Sequence, residues 1–305
     1  MSGLPVPEPT LVVRDAGEAG ESLWRGAMKR LVRNPMAIIG AVIIAVFILV
    51  AVFAPLLAPY EPASTEWTEL STQTFVQGST SDHLLGIDRF GSDMLTQLIY
   101  GARQSLVIGV VSTSIGLLAG VALGVLAGGL GGWVDTLIMR IVDILLSVPS
   151  LLLAISVAAA MDDNPAALMI AIGVAQVPIF ARLLRSSMMS QRSTDYVLAA
   201  RALGLRRRTI IMSHLLPNSL GPTIVQATLN LSTAIIEVAA LSYLGLGNAD
   251  PAAPEWGRLI VAAQERFTIA PWMAFFPGVC IAVTALGFTL LGEALREALD
   301  PKQRR

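Results

Sequence analysis

Six long stretches of the sequence contain no Asp, Glu, Lys or Arg, and this feature constrains the fold more than any other. A membrane-spanning helix needs about 20 mostly apolar residues, because the hydrocarbon layer is about 30 Å thick and each helical residue rises about 1.5 Å. The stretches are continuously apolar rather than alternating with period two, which favours helices over a β-barrel. They occupy positions 34–60, 104–134, 144–161, 164–181, 209–236 and 267–292.

The sequence therefore predicts an all-α polytopic membrane protein with six transmembrane helices. The third helix must accommodate Asp143 near one end, and the fifth must accommodate Glu237. The six helices are expected at about 36–56, 104–128, 137–160, 166–185, 223–245 and 272–292.

The composition excludes several other classes of protein. Hydrophobic residues make up 54% of the chain and charged residues 14%, against roughly 25% charged in an average soluble domain. A formal charge of −1 offers no broad attraction to phosphate backbones, so we expect no nucleic-acid partner. The single cysteine, Cys280, excludes an intramolecular disulfide framework. With only His83 and His214 besides, we expect no metal or cofactor bound by this chain.

The distribution of Lys and Arg predicts the orientation, because cytoplasmic segments of membrane proteins are enriched in both. With the N-terminus inside, 17 of the 21 basic residues face the cytoplasm. The outside then holds four, which are Arg89, Arg103, Arg258 and Arg266. Both termini are therefore predicted to be cytoplasmic.

This topology divides the chain into segments. Within the N-terminal segment, residues 1–20 are predicted to be disordered. The helical spacing of apolar residues before Asn34-Pro35 indicates an amphipathic helix in the membrane interface, although simple flanking positive charge explains the same pattern. The predicted segments are the N-terminal tail with this helix (1–35), the first transmembrane helix (36–56), an extracytoplasmic loop whose end can form a short surface helix (57–103), a five-helix core (104–292) and a C-terminal tail (293–305).

A stripe of small residues marks the second helix. Gly116, Gly120, Gly124 and Gly128 recur every four residues and so lie on one face. Glycine lets another backbone approach closely, which is how helices associate in lipid. We interpret the stripe as a helix-packing seam, with a pore-lining role as the alternative.

The longest cytoplasmic loop contains a segment at 195–221 that predicts two short helices. The first ends at Gly204, since glycine tolerates the left-handed conformation at a helix end. The second runs from Arg206 to His214 and is ended or turned by Pro217-Asn218. Such a pair forms a knob that can dock on a soluble partner. Its arginines can equally anchor the loop to lipid headgroups.

The same segment resembles the EAA loop of ABC-importer permease subunits. The matching elements are Leu198-Ala199-Ala200, Gly204, His214 and Leu216-Pro217, with three, nine and one residues between them. The chain departs from the family pattern at Leu198, where the family has Glu, and at His214, where it has Ile. The dipeptide, oligopeptide and nickel branch (DppC/OppC type) commonly has His here. Further stretches similar to that branch are 83–106, 235–247, 254–257, 271–278 and 290–302.

The resemblance implies a type I (MetI-like) transmembrane domain in a bacterial inner membrane. Such a permease is not an enzyme. It pairs with a homologous DppB-like permease, two ABC ATPase domains that bind ATP and Mg, and an extracytoplasmic binding protein that delivers peptides. The resemblance also implies an ATPase contact on Ala199, Ala200 and Gly204, flanked by Arg201, Leu203 and Leu205. Leu198 removes one possible salt bridge to the ATPase.

Polar residues in the predicted spans leave alternatives open. Glu237 can bind a peptide amino terminus or a cation in the translocation pathway, pair with the partner permease, or lie close to the outer interface. For Asp143 we favour an i,i+3 pair with Arg140, and Pro149 and Pro178 can kink their helices. An intramembrane enzyme of the aspartate type would need a facing pair of aspartates, which this sequence does not show. A secondary transporter often carries internal repeats, which are also not seen here.

Overall fold

The computed structural model describes residues 23–72, 74–161, 165–246 and 253–299, and these are almost entirely helical. The prediction of disorder at 1–20 lies outside the described residues. The helices are α1 (Leu23–Arg33), α2 (Pro35–Val52), α3 (Ala54–Leu57), α4 (Met94–Leu130), α5 (Gly132–Leu146), α6 (Ser150–Ala159), α7 (Pro165–Gln191), α8 (Asp195–Ala202), α9 (Arg207–Thr209), α10 (Leu216–Leu241), α11 (Trp256–Ala263) and α12 (Trp272–Leu299).

The described residues contain five helices long and apolar enough to cross a membrane. These are α2, α4, α7, the helical segment from Arg207 to Leu246, which is kinked at Gly245, and α12. A bent pair, α5 and α6, makes a sixth span if it is counted as one. The predicted class, an all-α polytopic membrane protein, is confirmed.

The third predicted span, 137–160, is wrong as a single helix. α5 and α6 meet at an angle of 92° across residues 147–149. Pro149 has no backbone N–H and its ring clashes with the preceding turn, so a continuous helix cannot pass through it. At 15 and 10 residues, or about 22 and 15 Å, neither segment is long enough to cross a membrane alone.

Helix α4 begins ten residues before the predicted start of the second span. Asp93 caps it, accepting a hydrogen bond from the backbone N–H of Thr96 at 2.8 Å. The separate surface helix expected at the end of the loop is therefore the first part of α4. Its 37 residues make it about 55 Å long, so it extends well beyond the hydrocarbon layer. It runs from the end of the bundle that carries the loop 58–93, here called the loop end, to the opposite end.

The glycine stripe of α4 packs against α7, as the spacing predicts. A Cβ atom added to Gly116 would lie 2.8 Å from the carbonyl oxygen of Gly173. One added to Gly124 would lie 2.9 Å from the Cβ of Leu184. Only glycine permits this approach, so the stripe is a packing seam between two helices rather than the lining of an open space.

A second glycine contact joins α2 to α12. A Cβ on Gly40 would lie 2.7 Å from the carbonyl oxygen of Gly287. Asn34 caps α2 through the N–H of Met36 at 2.9 Å and donates to the carboxylate of Glu297 at 3.0 Å. The start of α2 is thereby fixed to the end of α12.

The second short helix predicted in the 195–221 segment is not separate. The segment Ile210–Leu215 is a π-helix that joins α9 to α10, so the chain stays helical through Pro217. Pro217 directly follows the π-helical segment, where the i→i−4 hydrogen-bond pattern of an α-helix is already interrupted. The prediction that Pro217-Asn218 ends or turns the helix is wrong for this reason.

Candidate functional site

The segment 195–205, here called the knob, is a short helix closed by a glycine. Helix α8 ends at Ala202, with Leu203 as its C-cap, and Gly204 follows with a φ of +73°. The N–H of Gly204 donates to the carbonyl of Arg201 at 2.9 Å, and that of Leu205 donates to the carbonyl of Ala200 at 3.2 Å. This pair of bonds is a Schellman motif, and its left-handed residue is favourable only as glycine.

One face of the knob is buried in a small apolar cluster. Val197 and Ala200 pack there with side chains from α7 and from the π-helical segment. The cluster consists of Leu184, Met188, Val197, Ala200, Ile210, Ile211 and Leu215. It attaches the knob to the ends of two long helices.

The opposite face of the knob is exposed. Leu203 is 81% exposed and Leu198 is 49% exposed, and Ala199 and Arg201 are also accessible. Leu205 is 41% exposed, and a Cβ added to Gly204 would meet nothing within 4 Å. Five of the six residues predicted to contact an ATPase therefore lie on an accessible surface. Ala200 faces the chain's own core.

Two arginines tie the knob to the end of α4. The guanidinium of Arg192 donates to the carbonyls of Gly128 and Gly129, the latter at 3.0 Å. That of Arg207 donates to Gly129 at 3.0 Å and to Leu130. These carbonyls belong to the last turn of α4 and have no partner within the helix. We call this contact the arginine clamp.

Nothing in the sequence selects Arg192, and the role expected of Arg207 from the sequence is anchoring at lipid headgroups. Burial is the main cause of a lowered pKa of the Arg192 guanidinium, and the neighbouring charge of Arg207 lowers it further. The only sequence signal is position, since the two arginines flank the knob.

Ion pairs connect α5 to α7 at the knob end. Arg185 donates to both carboxylate oxygens of Asp135, at 2.9 and 2.6 Å. Asp143 pairs with Arg182. The prediction that Asp143 pairs with Arg140 is wrong. The i,i+3 spacing considers neighbours within one helix only, whereas α7 places the guanidinium of Arg182 opposite Asp143.

Glu237 lies within the bundle, 7% exposed. Ser150, the first residue of α6, donates a hydrogen bond to its Oε1 at 2.9 Å. Its Oε2 is buried and has no partner among the described residues. The bend at Pro149 brings Ser150 to this position, so the bend and the acid form one feature.

The two histidines lie at opposite ends of α4, and neither belongs to a metal cluster. His83 is buried and its Nδ1 lies 3.0 Å from Asp93, which caps the start of α4. His214 lies in the π-helical segment beyond the knob. Among the residues that the structure describes, no group of three or more His, Cys, Asp or Glu could hold a metal ion.

The comparison with known proteins decides the family. The family model described as the inner membrane component of binding-protein-dependent transport systems matches residues 120–305. The chain belongs to this family. A second model, the N-terminal transmembrane domain of oligopeptide transport permease C, matches residues 22–74.

Curated relatives cover nearly the whole chain. The dipeptide transport system permease protein DppC of Alkalihalophilus pseudofirmus is 44% identical over 99% of this chain and 97% of its own. The oligopeptide transport system permease protein OppC of Bacillus subtilis is 37% identical, over 93% and 91%. The glutathione transport system permease protein GsiD of Pectobacterium atrosepticum is 37% identical, over 95% and 94%.

Solved structures confirm the fold. An inward-facing MetNI methionine ABC transporter matches with a TM-score of 0.56 at 21% identity, over 68% of this chain and 98% of that one. An amino acid ABC transporter matches with a TM-score of 0.53 at 16% identity, over 67% and 94%. The protein is thus a non-catalytic inner-membrane permease component of a bacterial ABC importer.

Proposed function

We propose that this chain forms half of the translocation pathway of an ATP-driven peptide importer. A homologous DppB-like permease supplies the other half, two ABC ATPase domains bind on the cytoplasmic side, and an extracytoplasmic binding protein delivers the peptide. The names of the DppC and OppC relatives support peptide as the cargo.

The charge distribution supports a cytoplasmic position for the knob. Arg182, Arg185 and Arg192 lie at its base, and Arg201 and Arg206 to Arg208 lie on or beside it. The loop end of the bundle carries far fewer basic residues, as an outer surface does under the positive-inside rule.

One observation carries the proposed coupling: the knob is exposed on one face and attached to the bundle on the other. Its exposed side chains are small or apolar, and the Schellman motif holds their backbone in one conformation. ATP can shift the permease between states only if the ATPase contact is stronger in one state. A rigid knob fixed to α4 and α7 converts that preference into movement of the helices.

The departure at Leu198 fits the same contact. Its side chain is about half exposed on the outer surface of the knob, so it offers an apolar patch where the family commonly has an acid. The ATPase partner is then expected to present an apolar surface to this position. An exposed salt bridge contributes only about 0–1 kcal/mol, so its loss is compatible with docking.

We also propose that Glu237 lies on the translocation pathway. A carboxylate at membrane depth usually faces protein or water, and one oxygen of Glu237 has no partner among the residues that the structure describes. A cationic group of the substrate or a polar group of the second permease would complete its hydrogen bonding.

The test of coupling is Leu203→Asp in the reconstituted transporter. Leu203 is 81% exposed, so the change leaves the fold intact and alters only the contact surface. We expect peptide uptake per ATP hydrolysed to fall at least tenfold, with normal abundance in the membrane. Leu203→Met, which keeps the surface apolar, is the matched control and should transport normally.

Gly204→Asp provides a second variant at the same surface. The φ of +73° makes any side chain there strained, so this variant also tests whether the Schellman motif is required. Normal uptake by both Leu203→Asp and Gly204→Asp, at normal abundance, would contradict the role assigned to the knob.

A further inference from the structure

A cleft at the loop end of the bundle lies outside the sites described above. It has a volume of about 220 Å³ and lies between the tip of the 58–93 loop and helix α11. The π-helical turn Ser242–Leu246, which continues α10, forms its third side. The residues lining it are Arg89, Phe90, Ser242, Gly245, Arg258, Val261 and Ala262.

The charge of this lining has one sign. Its two ionisable residues are Arg89 and Arg258, and the rest of the wall is apolar apart from Ser242. The Arg89 guanidinium is held in place over the ring of Phe90, with its Cζ 4.4 Å from the ring centre, and by Glu265, whose carboxylate lies 2.9 Å from Nη1. A cationic group fixed this way requires little reorganisation to bind an anion.

Two polar groups of the lining are buried without partners among the described residues. The Nε of Arg89 has none, and neither does the hydroxyl of Ser242, a residue that is 2% exposed. A buried donor without a partner costs about 1–3 kcal/mol, so such groups in a cleft indicate a missing acceptor.

The neighbouring acids already accept hydrogen bonds or ion pairs, and none of them lines the cleft. Asp88 accepts from the backbone N–H groups of Phe90 and Ser92, both at 2.8 Å. Glu255 caps α11, accepting from Gly257 at 2.8 Å and Arg258 at 3.2 Å. Glu265 lies on the surface, with 66% of its side chain exposed.

We propose that this cleft binds the terminal carboxylate of the peptide as it enters the permease. The inference rests on the proposed function, which supplies the peptide. A planar guanidinium suits a carboxylate because it donates two parallel hydrogen bonds. Ser242 is five residues beyond Glu237 on one continuous helix, or about 7.5 Å along its axis. The cleft therefore lies at the mouth of the proposed pathway.

The test compares dialanine with dialaninamide, which lacks the carboxylate. Both are titrated against the purified complex of permeases and ATPases, without the binding protein, by ligand-observed NMR. Wild type should bind dialanine about tenfold more tightly than the amide, as expected for one charge-assisted hydrogen-bonded pair. Arg89→Gln should remove this difference by weakening dialanine binding alone.

Two further variants separate the cleft from its surroundings. Glu265→Gln removes the surface partner of Arg89 but keeps the guanidinium, so discrimination should persist. Ser242→Ala removes the buried hydroxyl without a change of charge and should weaken dialanine binding several-fold. If Arg89→Gln fails to fold, Ser242→Ala still tests the site.

Equal affinity of wild type for dialanine and its amide would overturn the proposal. So would weakened association of the binding protein with Arg89→Gln while peptide binding is unchanged, because the cleft would then hold an acidic side chain of that partner. ATP-dependent uptake of dialanine by wild type tests the proposed function separately, and can succeed even when discrimination is absent.

Discussion

A close backbone contact between α4 and α7 predicts that a single added methyl group at Gly116 destabilises the bundle. A Cβ there would lie 2.8 Å from the backbone oxygen of Gly173 and 2.8 Å from the Cβ of Gln176. Ordinary contacts to a Cβ begin near 3.4 Å, so α4 and α7 must separate by about 0.6 Å. The obstructing oxygen is backbone, so no rotation of a side chain relieves the clash.

We expect Gly116→Ala to destabilise the protein by about 1–3 kcal/mol, the typical cost of overpacking a well-packed interface. The gain in helix propensity, up to about 1 kcal/mol, opposes this effect and places the net value toward the lower part of that range. Gly173→Ala should have a similar effect, because its Cβ would lie 2.8 Å from the Cγ2 of Ile115. The two changes share one crossing, so the double variant should be non-additive.

Gly278 is the matched control. It lies inside the long helix α12, and an added Cβ would meet nothing within 4 Å among the described residues. Alanine there should be neutral or stabilising through helix propensity alone. The assay is the unfolding midpoint of the purified transporter in SDS titrations, with thermal midpoints as a second measure. If Gly278→Ala loses as much stability as Gly116→Ala, then glycine content rather than close contact determines stability, and the reasoning fails.

Two further predictions concern the ends of the bundle. Burial raises the pKa of Asp88 from 3.8 to about 6, against hydrogen bonds from the backbone of Ser92 and Phe90 that lower it. The protonated acid therefore stabilises the fold below pH 4, and this contribution, on the order of 3 kcal/mol, is lost as pH rises through 6. Thermal unfolding midpoints measured between pH 4 and 7 should show this loss of stability. Asp88→Asn should remove the pH dependence of the midpoint. At the other end, Arg207→Ala should lower peptide uptake per ATP several-fold while the ATPase still binds. Arg208→Ala, at the exposed neighbouring position, should leave uptake per ATP unchanged. Equal effects of the two variants would indicate a general role of positive charge.

The sequence predicted the elements whose signals are local. The first span is marked by a continuous apolar run that starts directly after Asn34-Pro35, and α2 begins at Pro35. The glycine stripe repeats every four residues, which defines one face whatever lies opposite it. For both features, composition and spacing within one helix contain the whole signal.

The missed features depend on a second element that the sequence does not identify. Asp143 has Arg140 nearby in its own helix, but its partner is Arg182 of α7, 39 residues further along. The continuous helix through Pro217 requires the π-helical segment before it, which has no composition signature. The start of α4 at Met94 was missed because Arg103 interrupts the apolar run, although a helix that extends beyond the membrane can carry a charge there.

The sequence signalled the glycine at the end of α8 but not how the knob is attached to the bundle. The EAA-like spacing identified Gly204 and the surface around it, because a left-handed residue at a helix end has a clear sequence signature. It could not reveal that Ala200 faces inward, since that depends on where α7 and the π-helical segment place their apolar side chains. Nor could it reveal the arginine clamp, whose acceptors are backbone carbonyls without side-chain identity.

These attachments bear on how force from an ATPase would reach the membrane. The knob joins the end of α4 through the arginine clamp and the end of α7 through the apolar cluster. The glycine seam then holds α4 against α7 from Gly116 to Gly128, so the two helices cannot slide or separate without losing close backbone contacts. We therefore expect a displacement of the knob to be transmitted along both helices, and α4 to carry it about 55 Å to the loop end. Trp256 of α11 packs there, donating from its indole Nε1 to the carbonyl of Leu98 at 3.1 Å. The wall of the proposed carboxylate cleft should then move with the knob, and its affinity for peptide should differ between the two states of the transporter.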